Sequence, residues 1–142
     1  MRREYHNPSG LPDWSSLFSQ VVAVHTSGAT TAFVSGQVGV DERQVLWGDG
    51  GLEAQVERAM HNLSIALSSA GGKLGDIVKL TIYVVGYRYE KIGMISAAIA
   101  KYFRGDQRPA LSLVGVQALA RPEFEVEIEA VALFPNPEGG GT

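Results

Sequence analysis

Three glutamates at alternate positions of one segment are the residues of this sequence best suited to chemistry. Glu125, Glu127 and Glu129 alternate with apolar residues between Phe124 and Leu133, and side chains two apart in a β-strand share a face. Neighbouring carboxylates raise one another's pKa, and burial raises it further. A glutamate tuned in this way can relay a proton or position a water. A solvated or salt-bridged strand face without function is the alternative that these residues leave open.

Other reactive side chains give no pattern of a known site. The histidines His6, His25 and His61 fall in three separate elements without a carboxylate at metal-ligand spacing, so we expect no metal site. The serines lie in no nucleophile motif, and residues 36–39 match neither a phosphate-binding loop nor a dinucleotide fingerprint. The chain has no cysteine, which excludes thiolate nucleophiles and disulfides.

Composition indicates an ordinary globular protein of 142 residues, 45% of them hydrophobic and 19% charged. The formal net charge of −3 does not favour nucleic-acid binding, which usually needs a basic face. No apolar run approaches the roughly 20 residues that span a bilayer, and the first ten residues lack an apolar signal core. We therefore expect a cytoplasmic protein that binds neither nucleic acid nor a membrane.

Residue patterns predict the elements that position the glutamates. Residues 1–16 carry turn-prone pairs and are expected to be irregular. Two strands at 20–26 and 31–36 form a hairpin, and a loop at 41–51 holds a short strand at Gln44–Trp47. Helical spacing runs from Leu52 to Ala70 and stops at Gly71-Gly72.

The second half of the chain predicts a strand, a helix and two more strands. The strand at 76–85 places Val78, Leu80, Ile82 and Val84 on its buried face. A helix follows from about Tyr89 to Gly105, and two apolar strands between Arg108 and Phe134 are joined by a connection that contains Arg121. Residues 135–142 are polar and glycine-rich and predict a flexible tail.

This order predicts an α+β two-layer sandwich in one domain, residues 1–134, with a mixed, mainly antiparallel sheet and both helices on one face. The opposite sheet face would carry Lys79, Thr81, Tyr83 and the three glutamates among apolar groups. A single chain would leave that half-apolar face open to water. We therefore expect a homo-oligomer.

Three motifs in this order resemble those of the Rid family, also called YjgF-like and long known as endoribonuclease L-PSP. They are Val34-Ser35-Gly36-Gln37, the run from Leu63 to Val84, and R-P-A-x-S-x-V-x-V followed by the segment Val126–Ala132. The resemblance covers roughly residues 17–134. It implies a chorismate-mutase-like fold assembled as a homotrimer, with three ligand clefts between subunits.

The resemblance also implies an activity. Active members hydrolyse enamine and imine intermediates to a 2-oxo acid and ammonia, without a cofactor of their own. A strand arginine grips the substrate carboxylate through a bidentate pair, a glutamate positions the attacking water, and a backbone amide near a glycine holds the ligand. By position, Glu127 matches the glutamate, Gly36 the glycine, and Ser112 the serine of the arginine's motif.

At the arginine position this sequence has Leu111. Loss of such a desolvated contact costs about 2–5 kcal/mol of carboxylate binding. Phe18 and Ser96 stand where a tyrosine and an asparagine often line the cleft, and Gly115 where a glutamate is common. The predicted substrate-binding residues are therefore those of a more apolar pocket: Phe18, Gly36, Ser96, Leu111, Ser112 and Leu113.

Two other arginines are candidates to replace the missing cation. Arg108 lies three residues before Leu111 and, on the same strand, would point to the opposite face. Arg121 lies in the connection before the glutamate strand, and nothing in the sequence fixes its direction.

Two functions follow as hypotheses. The first is an enzyme that hydrolyses a small molecule without a carboxylate, such as an enamine or imine, with Glu127 as general base. The second is a non-catalytic trimer that binds metabolites or a partner protein in the same clefts. The net charge of −3 argues against ribonuclease activity.

Overall fold

A computed structural model describes residues 1–136 as a six-stranded sheet with two α-helices packed on it. The strands are β1 (Arg2–His6), β2 (Val21–Thr26), β3 (Ala29–Val38), β4 (Ile77–Val85), β5 (Ala110–Val116) and β6 (Val126–Phe134). The helices are α1 (Leu52–Ser69) and α2 (Ile92–Ala100), with 3₁₀ turns at Leu74–Asp76 and Tyr89–Lys91.

The sheet order is β1-β2-β3-β6-β4-β5, so the glutamate strand β6 lies near the middle. Its neighbours β3 and β4 both run antiparallel to it, whereas β4 and β5 are parallel. The parallel pair follows from α2, because a crossover helix returns the chain to the same end of the sheet. The predicted α+β class, with a mixed and mainly antiparallel sheet, is confirmed.

The core lies between α1 and one face of the sheet. Its largest fully buried apolar side chains include Met60, Leu63, Leu67, Leu80, Ile82 and Ile128. Burial of each such side chain is worth about 1.5–3 kcal/mol, so α1 fixes which face of β6 turns inward. The predicted end of this helix is also confirmed: Gly71 has a φ of 93° and the Gly72 N–H donates to Leu67 O at 2.9 Å.

The prediction that residues 1–16 are irregular is wrong for Arg2–His6, which pairs antiparallel with β2 as an edge strand. Its residues are mostly charged and give no apolar alternation, but Glu4 contacts Arg2 at 2.8 Å and His25 at 3.3 Å. The predicted strand at Gln44–Trp47 is only a single bridge between Val40 and Leu46.

Two further predictions were wrong in detail. Val78 is 46% exposed rather than buried, because a register shift between Ile77 and Lys79 gives the inward position to Ile77. The second helix is shorter than predicted: Tyr89–Lys91 is a 3₁₀ turn and α2 ends at Ala100.

The predicted flexible tail is only partly described. Asn136 is attached to the β2–β3 hairpin, since its side chain donates to Thr26 O at 2.9 Å and accepts from Thr30 Oγ1 at 2.8 Å. Residues 137–142 lie outside the described residues. Within residues 1–136, no helix is long and apolar enough to cross a bilayer.

Candidate functional site

Glu127 lies in β6 on the sheet face opposite the helices, which we call the outer face. Its register partners are Val38 in β3 and Tyr83 in β4, while its neighbour Ile128 is fully buried on the helix side. Glu127 contributes to a pocket of about 240 Å³, here called the Glu127 pocket. The pocket is lined by Trp14, Leu17, Phe18, Gly36, Val38, Ala120, Arg121, Phe124 and Glu127.

Gly36 brings the β3 backbone against the Glu127 side chain. The β3–β6 register shifts between Val34 and Gln37, and Gly36 lies inside this irregularity. A Cβ at Gly36 would lie 2.6 Å from Glu127 Cδ, closer than any side chain allows. Glycine here therefore allows the close approach of the Glu127 side chain, which a larger residue would displace, and does not serve a special backbone angle.

The environment of Glu127 favours its protonated form relative to an ordinary glutamate. Burial raises the pKa of Glu127, and the negative charge of Glu129 raises it further. Glu129 itself accepts a hydrogen bond from the Tyr83 hydroxyl at 2.6 Å, and this bond raises the pKa of Tyr83. Glu127 thus lines a pocket and also has an increased proton affinity. Both properties are what a general base requires.

The aromatic wall of the pocket comes from the segment before β2. The Leu17 and Phe18 N–H groups both donate to Trp14 O, at 2.9 and 3.1 Å, which closes a turn. The Trp14 and Phe18 rings lie 5.7 Å apart at 49°. Of this pocket, the sequence predicted Phe18, Gly36 and Glu127, whereas it gave no signal for Trp14 and Leu17, because only the turn directs their side chains.

A second pocket, of about 300 Å³, lies between α2 and β5, and we call it the α2–β5 pocket. The predicted residues Ser96, Leu111 and Leu113 line it, together with Ile82, Ile92, Ile95, Ile99, Ala100, Phe103, Arg108 and Pro109. Leu111 and Leu113 pair with the buried Leu80 and Ile82, so they face the helix side.

The predicted direction of Arg108 is wrong. Because β5 begins at Ala110, Arg108 precedes the strand and strand alternation does not apply to it. It lines the same pocket as Leu111. Arg121, whose direction the sequence left open, instead lines the Glu127 pocket.

The predicted site residues therefore fall into three places within one chain. Phe18, Gly36 and Glu127 share one pocket and Ser96, Leu111 and Leu113 another. Ser112 is in neither lining: it pairs with Thr81 on the outer face and accepts a hydrogen bond from Lys79 Nζ at 2.7 Å. Alternation along β5 separates Leu111 from Ser112, and the sheet separates Leu111 from Glu127.

Comparison with known proteins identifies the family to which this chain belongs. The family model described as Endoribonuclease L-PSP matches residues 12–134. The Myxococcus xanthus protein DfrA is 33% identical over 94% of this chain and 97% of its own length. The mouse 2-iminobutanoate/2-iminopropanoate deaminase is 33% identical over 82% of this chain and 80% of its own.

A solved Yersinia pestis structure supports the same assignment. It is the Rid-family protein YyfB, which is 36% identical and superposes with a TM-score of 0.70 over 94% of this chain and all of its own. The chain belongs to the Rid, or endoribonuclease L-PSP, family.

Proposed function

We propose that this chain hydrolyses the C=N bond of a small imine, or of the imine tautomer of an enamine, with Glu127 as general base. Water adds to the imine carbon while Glu127 takes its proton and the C=N π electrons move to nitrogen. Glu127 returns this proton to nitrogen, which gives a carbinolamine. The hydroxyl proton of the carbinolamine then passes through Glu127 to nitrogen as the C–N bond breaks, so that a carbonyl compound and ammonia leave. Neither step needs an oxidant or a cofactor.

The observation that carries this proposal is the position of the Glu127 carboxylate, half-buried against Gly36 in a mostly apolar pocket. Burial removes water that would compete with an ordered nucleophile. The raised pKa makes Glu127 a stronger base than an exposed glutamate. The family and its named imine deaminases support the reaction class.

Assembly completes the site in this proposal. Since the Glu127 pocket and the α2–β5 pocket lie on opposite faces of one sheet, a single substrate reaches both only if they come from different chains. A homotrimer, as the resemblance implies, would pair them between neighbours. A second, mostly apolar wall would then come from Ser96, Leu111 and Leu113. With Leu111 in place of an arginine, this wall could not form a bidentate ion pair with a substrate carboxylate.

The test is turnover of two imines, 2-iminopropanoate generated in situ and the neutral imine diphenylmethanimine. Wild type should accelerate hydrolysis of at least one, and Glu127→Gln should lower kcat by about 10²–10⁴-fold, the usual contribution of a general base. Glu125→Gln is the matched control, since this residue lies two positions before Glu127 but outside the lining of its pocket. Equal rates in wild type and Glu127→Gln would refute the proposal.

A non-catalytic binding protein is the second candidate, favoured by the exposed, apolar Leu111 at the predicted anchor position. It predicts no turnover of either imine, together with ligand-dependent increases in melting temperature. Both candidates predict no RNA cleavage, because the chain carries a net charge of −3.

A further inference from the structure

Arg121 is a cation that lines the Glu127 pocket and is hydrogen-bonded to a separate loop. Its Nη2 donates to Gln44 Oε1 at 2.5 Å, and Gln44 has a positive φ of 68°. The turn that carries Gln44 is closed by Asp41, whose Oδ1 accepts from the Arg43 and Val45 N–H groups at 2.8 and 3.1 Å. The loop at 41–45 therefore holds the guanidinium against the pocket.

These contacts offset the charge of Arg121 only in part. Gln44 is uncharged, and the Glu123 carboxylate forms a long, exposed ion pair at 3.8 Å from Arg121 Nη1, too far for a hydrogen bond. Glu127 and Arg121 are the charged residues of this lining, and the other seven are apolar or glycine. A guanidinium carries five N–H donors. Within residues 1–136 Arg121 makes one side-chain hydrogen bond, to Gln44, so other donors can bind an anion.

We propose that Arg121 binds an anionic group of the substrate and so replaces the ion pair that Leu111 cannot form. The ligand class is a small molecule with an apolar body, which fits the Trp14, Leu17 and Phe18 wall, and one carboxylate or similar anion. This inference rests on the proposed function. It replaces the expectation that the substrate carries no carboxylate, which the sequence suggested while the direction of Arg121 was unknown.

Arg121 is favoured over Arg108 by its place in the chain. Arg121 shares a pocket with Glu127 in the same subunit, whereas Arg108 lines the α2–β5 pocket across the sheet. A cation in the same pocket as the reacting carboxylate can orient an anionic substrate without help from another chain.

Trp14 gives a direct readout of this pocket. The chain has two tryptophans; Trp14 lines the pocket, and Trp47 lies under the Arg58 guanidinium at 4.4 Å. Trp47→Phe keeps an aromatic ring under Arg58 and leaves Trp14 as the single indole. In this background, fluorescence titration with hexanoate and with the neutral isostere hexanamide measures the preference for an anion.

We expect hexanoate to bind at least about 10-fold more tightly than hexanamide, as a charge-assisted pair implies. Arg121→Gln should abolish this preference, and the same change at Arg88, an exposed residue outside both pockets, should preserve it. In turnover of an anionic imine, Arg121→Gln should raise KM about 10- to 100-fold with little change in kcat.

Three results would overturn the inference. They are wild-type binding of hexanoate no tighter than that of hexanamide, a preference for hexanoate that survives in Arg121→Gln, and a preference that is lost in Arg108→Gln instead. Glu127→Gln separates this inference from the proposed function, because it should abolish turnover while hexanoate still binds. Anion binding at Arg121 without turnover would reject the proposed function alone. Turnover that needs Glu127 but not Arg121 would reject the inference alone.

Discussion

At the scale of single residues, Glu127 is held in an environment that opposes its own ionisation. Burial and the charge of Glu129 raise its pKa. At pH values between the unfolded-state and folded-state pKa, Glu127 therefore holds its proton more fully in the folded chain than in the unfolded chain. Stability therefore falls as pH rises through that window, and above the window the cost of the buried charge is fully present. The same environment that gives a base its strength thus destabilises the neutral-pH fold.

Glu127→Gln should accordingly make the chain more stable than wild type at pH 7. The gain should disappear below about pH 4, under the ordinary glutamate pKa of about 4.3, because Glu127 is then protonated in both states. Urea unfolding at the two pH values measures the difference. A variant less stable than wild type at pH 7 would show that the carboxylate has a stabilising partner instead.

Gly36 tests how closely the backbone must approach the carboxylate. Gly36→Ala would place a Cβ 2.6 Å from Glu127 Cδ, and the flexible glutamate side chain would move while the fold persisted. We expect imine turnover to fall about 10- to 100-fold, the effect of displacing a reacting group by about 1 Å. Gly75→Ala is the control, since its Cβ would meet nothing within 4 Å. Equal losses in both variants would contradict a specific role for Gly36.

At the scale of elements, α1 holds the start of β6 through one buried amide. Gln55 Nε2 donates to Gly50 O at 2.8 Å and Glu123 O at 3.1 Å, and Gln55 Oε1 accepts from the Glu125 N–H at 2.9 Å. These bonds tie the helix to the loop that carries Arg121 and to the strand that carries Glu127. Both charged residues of the pocket therefore depend on a residue outside its lining.

Gln55→Leu should lower the free energy of unfolding by about 1–3 kcal/mol, because it removes the partners of three partly buried backbone groups. Gln107→Leu, the same substitution at an exposed position, should change it by about 0.5 kcal/mol or less. Chemical denaturation of both variants measures the two effects. A Gln55→Leu variant as stable as wild type would mean that water replaces these three bonds without cost.

The sequence predicts the elements whose apolar pattern is long and regular, namely α1, β4 and β6. It does not predict β1, because an edge strand of charged residues has no apolar alternation. The buried face of β4 is misassigned at Val78 because the register shift beside Ile77 leaves no mark in the residue types. The directions of Arg108 and Arg121 were not predicted correctly either, because both residues lie just outside strands, where the alternation of side chains gives no information.

At the scale of the whole molecule, the outer face of the sheet carries exposed apolar side chains beside its polar residues. Phe33 and Leu133 are 50% and 49% exposed, and Phe33 pairs with Val131 in the neighbouring strand. Such a face is usually covered by another chain. A homotrimer that covers it would also bring the two pockets together from different chains.

We expect light scattering to give a mass of three times the 15.2 kDa chain. Phe33→Asp combined with Leu133→Asp should shift the mass to that of one chain, because two charges would be buried without partners. Circular dichroism should show that the variant stays folded. A wild-type monomer would contradict the predicted assembly, and so would a double variant that remains trimeric.

The claim that Glu127 is the base is tested most directly by the pH dependence of kcat/KM for imine hydrolysis, compared between wild type and Glu129→Gln. The same imine in both proteins cancels the ionisation of the substrate. The rate should rise with pH through an apparent pKa above that of an ordinary glutamate. In Glu129→Gln the midpoint should move to lower pH, since the charge of Glu129 raises the pKa of Glu127. Identical midpoints in the two proteins, or a rate that does not depend on pH, would contradict it.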